Sequence, residues 1–499
     1  MRLIHCRSLQ LKEFVSSDVP EYAILSHTWE SDEVSFAAFT TDLTAAKLKA
    51  GFCKIDFTCQ QAIAGGLEYA WVDTSCIDKS SSAELAEAIN SMFTWYNNAS
   101  VCYVYLSDVT KKDFDEQFPK SRWFQRGWAL QELIAPDKVI FFDSAWNGLG
   151  SKEDRSWLIH DITQIDETVL RTSMRSHSLQ GYCIAKRMAW ASQRTTTRIE
   201  DMAYCLLGIF DVNMPLLYGE GYKAFHRLQL EIIKVVDDDS ILAWGKKTNA
   251  LDFNMVKCMV EPMDDEPAFG GLFARSPEDF ANCHDTSNSM DSISPYTMTN
   301  QGLDMELPLV EIVRRVDDDG LYVQKYYPVG LLTCKTSTAS TLLGILLADA
   351  DISEAHVNRV TIDSGTYRDP DYATTLLVGP RLATQAVSRK ITVTNPMERD
   401  TTRGRSKTHE QILVNQSKTI QSFKYTATFE GKCLYFFRKD RVMHLPATWD
   451  SKASVITISE GSSRGSLINI AFEADCDNRQ CSGFSVLIRR DNAIVRNGS

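Results

Sequence analysis

The sequence SRWFQRGWALQELIAP runs from Ser121 to Pro136, and KVIFFD follows it from Lys138 to Asp143. The first run predicts a helix that ends at Pro136, because proline cannot continue a helix. The second predicts a buried strand. Trp128 and Glu132 lie four residues apart, so on this helix they share one face, and a carboxylate desolvated by an aromatic ring has a raised pKa that suits catalysis. The other interpretation is an amphipathic helix with an incidental surface glutamate.

Three apolar runs upstream of this stretch each end in polar residues, as buried parallel strands do. They are YAILSHTW (Tyr22 to Trp29), LEYAWVDTSCID (Leu67 to Asp78) and SVCYVYLSDV (Ser100 to Val109). Strands that alternate with helical segments predict an α/β sheet, mostly parallel, whose ligand crevice lies outside the carboxyl ends of the strands. The side chains that would gather there are those of Ser26, His27, Asp73 and Asp108. Each has a structural alternative, because a chain that leaves the core needs polar residues anyway.

Helical segments separate these strands. One runs from about Ser35 to Gly66 with an interruption near Gly51. Ser81-x-x-Glu84 is a capping box, and it opens a helix whose apolar residues continue to Tyr96. With the strands, these helices define a predicted α/β core over residues 1–150.

A helical extension is predicted for residues 151–245. Thr197-x-x-Glu200 is a second capping box, and we expect Gly208 and Pro215 to close the helix that it opens. Gly219-Glu220-Gly221 then opens another helix. Backbone N–H groups at such glycines can bind an anion, but the Lys-Ser/Thr of a P-loop is missing here, so a tight turn is the preferred interpretation.

The sequence pattern changes after the acidic run VDDD (Val236 to Asp239), and residues 246–499 are predicted to form a β-rich domain. Short apolar runs recur there between turn residues, which indicates an antiparallel sandwich or barrel. Asn395 to Ser422 is more polar and predicts a long exposed loop. We find no charged cluster, metal-ligand spacing or nucleophile motif in this half, so we expect a recognition or restraining domain. The alternative is a permanent buttress that completes the first domain.

Composition limits the function. The chain has 499 residues, enough for about two to four domains, and a net charge of −12, which argues against binding to a nucleic-acid backbone. Its 13 cysteines include no CxxC pair and its histidines are dispersed, so we expect free thiols and no metal site. The N-terminus lacks a signal-peptide core and no apolar run is long enough to span a membrane, so we expect a cytoplasmic protein.

Four stretches in order resemble the HET (heterokaryon incompatibility) domain of filamentous fungi. They are YAILSHTW, LEYAWVDTSCIDK, ELAEAINSMFTWYNNASVCYVYL and SRWFQRGWALQELIAP. The segment that begins RMAWASQRTTTRIEDMAYCLLGIF is similar to the one that commonly follows this domain, and FARSPEDF and MTNQGLDMELPL resemble the family's β-rich C-terminal part. The resemblance implies an allorecognition protein that triggers cell death, and a NOD-like or allelic activating protein or a second copy as partner.

HET domains have also been proposed as distant relatives of TIR domains, many of which cleave NAD with a glutamate in a W-x-x-x-E-L motif. WALQEL, from Trp128 to Leu133, has this form, with Ala129 where the family has cysteine. The resemblance therefore implies a TIR-like, flavodoxin-like fold in which Glu132 is catalytic and NAD is the substrate, without a cofactor or metal. Glu84 and Glu87 are the reserve candidates for the carboxylate.

Under the same reading, Trp29 or Trp128 would form a wall for the nicotinamide, and Ser26 or His27 would contact phosphate or ribose. Asp73 and Asp108 complete the predicted substrate-binding set. The competing hypothesis is a non-enzymatic signalling module whose toxicity comes from self-association or partner binding.

Overall fold

The computed structural model describes residues 1–15, 18–172, 179–247, 272–288, 295–300 and 302–318, and beyond them the strands given below with a few adjoining residues. The chain divides into two compact units. The first comprises Met1–Lys246, Phe273–Ile293 and Thr333–Ala339; the second comprises Lys247–Leu272, Ser294–Leu332 and Ser340–Ser499.

A mixed sheet of seven strands lies at the centre of the first unit. Its strands are β1 (Arg2–His5), β2 (Gln10–Glu13), β3 (Tyr22–His27), β4 (Tyr69–Trp71), β5 (Val101–Tyr105), β6 (Val139–Phe142) and β7 (Gly148–Ser151). Their order across the sheet is β2-β1-β4-β3-β5-β6-β7. Strands β4, β3, β5 and β6 are parallel to one another, whereas β2, β1 and β7 pair antiparallel. All four strands predicted from apolar runs are present.

The prediction of a mostly parallel sheet was wrong in one respect, because three of the six pairings in this sheet are antiparallel. The sequence reasoning missed the hairpin of β1 and β2, whose strands are four residues long and largely exposed on β2. Strands this short and polar lack the apolar run by which a buried strand is recognised. The parallel part is different, since all six residues of β3 are buried.

Helices cover the sheet and continue beyond it. They are α1 (Phe36–Thr41), α2 (Leu43–Ala46), α3 (Phe52–Ala64), α4 (Asp73–Cys76), α5 (Ser82–Asn98), α6 (Phe114–Gln117), α7 (Arg122–Gln125), α8 (Ala129–Ile134), α9 (Ser156–Thr163), α10 (Glu167–Arg171), α11 (Ile184–Ala189), α12 (Asp201–Tyr204), α13 (Leu207–Phe210) and α14 (Lys223–Val235). Short 3-10 turns occur at Phe118–Lys120, Leu179–Gly181, Asp239–Leu242 and Pro277–Phe280. The predicted interruption near Gly51 is confirmed, since it separates α2 from α3.

Two helix predictions need correction. The single helix expected before Pro136 is two short helices, α7 and α8, because the chain is extended at Arg126. The second capping box is absent, because α12 begins at Asp201 without a side-chain cap, and Glu200 precedes the helix. Its carboxylate instead accepts hydrogen bonds from the backbone N–H groups of Gly219 and Gly221, at 2.8 and 3.1 Å. The turn at these glycines therefore binds an anion that the chain itself supplies.

Glycines join the predicted extension closely to the α/β core. A Cβ atom on Gly208, within α13, would overlap the ring of Phe93 on α5, and one on Gly127 would overlap Thr196. The backbone of Gly127 also donates to Thr195 O at 2.8 Å, while Thr195 N donates to Gln125 O at 2.6 Å. Gly208 was predicted to close a helix, but it serves close packing between two helices.

The remaining strands confirm a β-rich second half. They are β8 (Lys246–Lys247), β9 (Thr286–Asn288), β10 (Thr297–Met298), β11 (Gly302–Asp318), β12 (Leu321–Thr336), β13 (Leu342–Ala348), β14 (His356–Arg359), β15 (Thr374–Val378), β16 (Val387–Thr394), β17 (Gln411–Val414), β18 (Thr419–Ser422), β19 (Tyr425–Glu430), β20 (Cys433–Arg438), β21 (Arg441–Asp450), β22 (Val455–Ile458), β23 (Asn469–Asp477) and β24 (Gln480–Ile488). Most pair antiparallel, as between β11 and β12. The predicted loop from Asn395 to Ser422 contains β17 and β18, and its other residues lie outside the described ones.

Candidate active site

The carboxylate singled out from the sequence lies against the end of the central strand β3. The Ser26 hydroxyl on β3 donates a hydrogen bond to Glu132 Oε2 on α8. Ser26 Oγ in turn accepts a 2.7 Å hydrogen bond from the indole nitrogen of Trp123 on α7. Glu132 is only 6% exposed, and Ser26 and Trp123 are fully buried. The three side chains form a fixed chain of hydrogen bonds from indole to hydroxyl to carboxylate.

Burial and the charge of Arg126 have opposite effects on the pKa of Glu132. Burial raises the pKa of its carboxyl above the ordinary value, and the charge of Arg126 and the hydrogen bond from Ser26 oppose that rise. Arg126 itself donates to the backbone oxygen of His27, which places its guanidinium at the end of β3. The carboxylate is therefore held near a fixed positive charge in a nearly water-free environment.

His27 lies between two acidic side chains. Its Nε2 atom is 3.7 Å from Glu33 Oε1, and its Nδ1 atom is 3.9 Å from Asp73 Oδ1. Lys54 also donates to Glu33 and, at 3.1 Å, to Thr28 O. Although burial raises the pKa of Glu33, the hydrogen bonds and charges of His27 and Lys54 prevail and lower it to about 2. Because successive residues of a strand face opposite sides, Ser26 and His27 point to opposite faces of the sheet at the end of β3. The charge of His27 still acts on the Glu132 carboxylate.

Trp29 forms the exposed part of the site. Its ring is 48% exposed, and its Nε1 atom donates to Asp73 Oδ2 at 2.9 Å. The ammonium group of Lys79 lies 3.4 Å from the centroid of the Trp29 ring and 3.5 Å from Asp73 Oδ2. Burial raises the pKa of Asp73, but the charges of Lys79, His27 and Arg126 outweigh it and lower this pKa overall. An aromatic face with an adjacent cation and anion therefore meets solvent beside His27.

The structure places the other two predicted substrate-binding residues away from this group. Asp108 accepts hydrogen bonds at 2.8 Å from the Ser121 hydroxyl and from Arg122 N, so it holds the start of α7. The indole of Trp128 donates to Asp201 Oδ2 at 3.4 Å, in the helical extension. Trp128 and Glu132 are one helical turn apart as predicted, but the indole that joins the carboxylate's hydrogen-bond chain is that of Trp123.

The reserve carboxylates have other partners or positions. Glu84 forms a bidentate pair with Arg2, with one contact at 2.8 Å, and accepts from Asp78 N at 2.8 Å. Its backbone N–H donates to the Ser81 hydroxyl, so the first predicted cap is present. Glu87 lines a cavity at the amino ends of the strands, opposite the end of β3 that carries Ser26.

Sequence reasoning missed several residues of the site, namely Glu33, Lys54, Lys79, Trp123 and Arg126. Trp123 and Arg126 stand within the run that contains Glu132, so their proximity in sequence was an available signal. Glu33 lies in the loop after β3, and nothing in its spacing marks it. Metal chemistry has no obvious ligand set in the described part of the chain, where no group of three His, Cys, Asp or Glu residues could hold an ion. No described helix is long and apolar enough to cross a membrane.

Comparisons with known proteins find similarity in the part of the chain that contains this α/β unit. Residues 22–115 match the family model described as heterokaryon incompatibility protein (HET). Residues 223–392 match a second model, a domain of unknown function (DUF8212).

The chain is also similar in sequence to one particular protein. The chain is 49% identical over 243 residues to the vegetative incompatibility protein HET-E-1 of Podospora anserina. The aligned region covers 46% of this chain and 17% of that protein, so the chain spans about a sixth of its relative's length. No solved structure matches the chain.

Proposed function

We propose that this protein is a fungal vegetative incompatibility effector that triggers cell death. The match to the HET model and the 49% identity to an incompatibility protein support this function. The shared part is a minor share of that relative, so the proposal concerns the activity of the HET domain. The protein would act in the cytoplasm, after contact with an activating partner protein or a second copy of itself.

We further propose that the chemistry is TIR-like hydrolysis of NAD. The four parallel strands, numbered along the chain, follow the order 2-1-3-4, with β3 and β5 adjacent. This is the order of flavodoxin-like sheets, in which the ligand lies at the carboxyl ends of the first and third strands, where the order reverses. Ser26 and His27 end the first of these strands. The observation that carries the proposal is the Ser26–Glu132 pair at this position.

The residues of the site match the needs of glycosidic cleavage. Water adds to the nicotinamide ribose as the bond to nicotinamide breaks, which gives nicotinamide, ADP-ribose and a proton. Positive charge develops on the ribose during this step, and the Glu132 carboxylate would stabilise it. Trp29 would stack on the nicotinamide, Lys79 would move from the ring face to the pyrophosphate, and Asp73 would accept from a ribose hydroxyl.

A test uses the purified full chain and NAD, with chromatographic detection of nicotinamide and ADP-ribose. We expect equal amounts of both products, and on the order of a hundredfold less for Glu132→Gln. Glu116→Gln is the matched control, because Glu116 is an exposed carboxylate on α6 whose ion-pair partner among the described residues is Lys120. A folded wild-type chain that releases no nicotinamide above the buffer blank would exclude this chemistry.

One observation favours the alternative of a non-enzymatic signalling module. Glu132 is 6% exposed and already accepts a hydrogen bond from Ser26, which is also the pattern of a structural carboxylate. Under that alternative, the incompatibility reaction in cells would persist in Glu132→Gln, and no NAD would be consumed. The two functions are thus separated by one variant and two measurements.

A further inference from the structure

A second recess lies at the amino ends of the parallel strands, opposite the carboxyl ends where Ser26 lies. It is a cavity of about 890 Å³, within the size range of small-molecule sites, and Tyr22, Ser100 and Asp137 line it at the amino ends of β3, β5 and β6. Its other walls are α5 and the segment around Phe14. The proposed NAD chemistry uses none of these residues, so the cavity is a separate feature of the first unit.

The charge of the cavity is negative. Its lining carries the carboxylates of Glu21, Glu87 and Asp137, and the cation among the lining residues is the amino group of Met1, which donates to Phe14 O at 3.0 Å. Neither Glu21 nor Glu87 forms an ion pair with any residue that the structure describes. Carboxylates gathered around a recess favour a cationic ligand.

Helix α5 adds to this potential and gives the cavity its length. The helix has 17 residues, and its last turn contains no basic side chain to balance the partial negative charge of the helix end. That end lies in the cavity, where Asn98 is part of the lining. Lining residues recur along the helix from Glu87 through Ser91 and Thr94 to Asn98, a distance of roughly 16 Å at 1.5 Å per residue.

Aromatic rings complete the lining. Phe14 and Trp95 both face the cavity, and each is held by an edge contact, Phe14 with Tyr69 and Trp95 with Trp71. Ring faces attract ammonium groups and also contact methylene chains. The cavity therefore combines separated carboxylates, hydroxyl and amide groups and fixed aromatic surfaces along one extended path.

We propose that this cavity binds an aliphatic polyamine, an extended chain of methylene groups with several ammonium groups. The ammonium groups would pair with Glu21, Glu87 and the carboxyl end of α5, while the methylene segments would lie on Phe14 and Trp95. No group of three His, Cys, Asp or Glu residues in the described part of the chain could hold a metal ion, whereas an extended cation can pair with carboxylates that do not form such a group.

The test is calorimetric titration of the full chain with spermidine at low salt. We expect saturable binding that weakens as salt rises, with putrescine, which is shorter, binding less tightly. Glu21→Gln with Glu87→Gln should reduce spermidine affinity at least tenfold. The matched control is Glu116→Gln with Glu153→Gln, which removes two exposed carboxylates of the same unit outside the cavity and should leave the affinity unchanged.

Each variant's fold is checked by its melting curve, and the single variants Glu21→Gln and Glu87→Gln serve if the pair is unstable. Equal loss of affinity in the cavity and control pairs would show diffuse attraction to an acidic protein and overturn the proposal. The absence of binding at millimolar spermidine would also overturn the proposal. Binding of a trilysine peptide instead of spermidine would do the same.

Discussion

The Ser26 hydroxyl donates a hydrogen bond to the Glu132 carboxylate, although 106 positions separate the two residues in the chain. The contact joins the end of the central strand β3 to the helix α8. Trp123 completes it from the other side of Ser26. Removal of the polar group of Ser26 therefore leaves the buried polar groups of the other two residues without their partner, and the first prediction follows from that dependence.

Ser26→Ala should destabilise the first unit. The change leaves the Trp123 N–H without its acceptor and Glu132 without its donor, and an unsatisfied buried group costs about 1–3 kcal/mol. Urea denaturation would measure the lower free energy of unfolding. Ser80→Ala is the control, because Ser80 is exposed and bonds only within its own turn to Asp78. Equal urea midpoints for Ser26→Ala and wild type would show that the hydrogen-bond chain contributes nothing to stability.

Glu132→Gln should raise the melting temperature at neutral pH. Burial raises the pKa of Glu132, so the folded state holds this proton more tightly than the unfolded chain does. The contribution of this group to stability then falls as pH rises from its ordinary pKa through the raised one. The glutamine variant has no such loss, so its advantage over wild type should grow between pH 4 and pH 7. A variant less stable than wild type by the same amount at both pH values would contradict the sign.

Arg126→Gln should shift the pH dependence of NAD turnover. The guanidinium charge of Arg126 lowers the pKa of Glu132, so its removal raises that pKa further. If the ionised carboxylate is the active form, the acid limb of the pH–rate profile moves to higher pH. Arg126→Lys keeps the charge and should move this limb less. A profile that scales down without any shift would indicate a purely structural arginine.

The parallel strands could be predicted from sequence because each is a continuous apolar run with a polar end. Their order across the sheet could not, since strands of similar composition do not specify their neighbours. Glu132 could be singled out from the sequence because its motif is local. Its hydrogen bond with Ser26 could not be predicted, because it depends on the order of the strands. The partner of the Trp128 indole could not be predicted for the same reason, because Asp201 reaches it from the helical extension.

The acidic run from Val236 to Asp239 has a structural role that its local sequence does not reveal. Asp238 accepts from Ile184 N at 2.7 Å, and Asp239 accepts from both the backbone and the hydroxyl of Thr333, at 2.8 and 2.9 Å. Both aspartates are buried, so the run is a structural centre of the first unit. Their partners lie 54 and 94 positions away in the chain and carry no local signal.

Asp239→Asn should remove part of the pH dependence of stability. Burial raises the pKa of Asp239 to about 7 from an ordinary 3.8, so its contribution to stability falls as pH rises between these values. The loss is ~1.4 kcal/mol for each unit of pKa difference. Asparagine can still accept from Thr333 N and donate to its hydroxyl. The melting temperature should fall less between pH 4 and pH 7 for this variant than for wild type. Asp115→Asn, which changes an exposed carboxylate, should follow wild type.

Residues 1–245 expressed alone should be unstable and inactive. The fully buried Gln229 exchanges hydrogen bonds with the backbone of Ala274, at 2.8 and 3.1 Å, and Asp239 depends on Thr333. A chain cut at residue 245 loses both partners, so we expect aggregation and rapid proteolysis. The contacts of Gln229 with Ala274 and of Asp239 with Thr333 favour the alternative in which the C-terminal half is a permanent buttress. A soluble fragment more toxic than the full chain would instead support a restraining role for the C-terminal half.

The first unit is also discontinuous along the chain, since Thr333–Ala339 completes it after a gap that begins at residue 247. A ribosome adds about 5–20 residues each second, so the intervening segment takes on the order of 5–20 s to synthesise. During that interval Asp239 has been made but Thr333 has not. We expect nascent chains stalled before residue 333 to be protease-sensitive and those stalled well beyond residue 339 to be protected. The lethal activity proposed above would then be absent from unfinished chains, which would protect the cell that makes them.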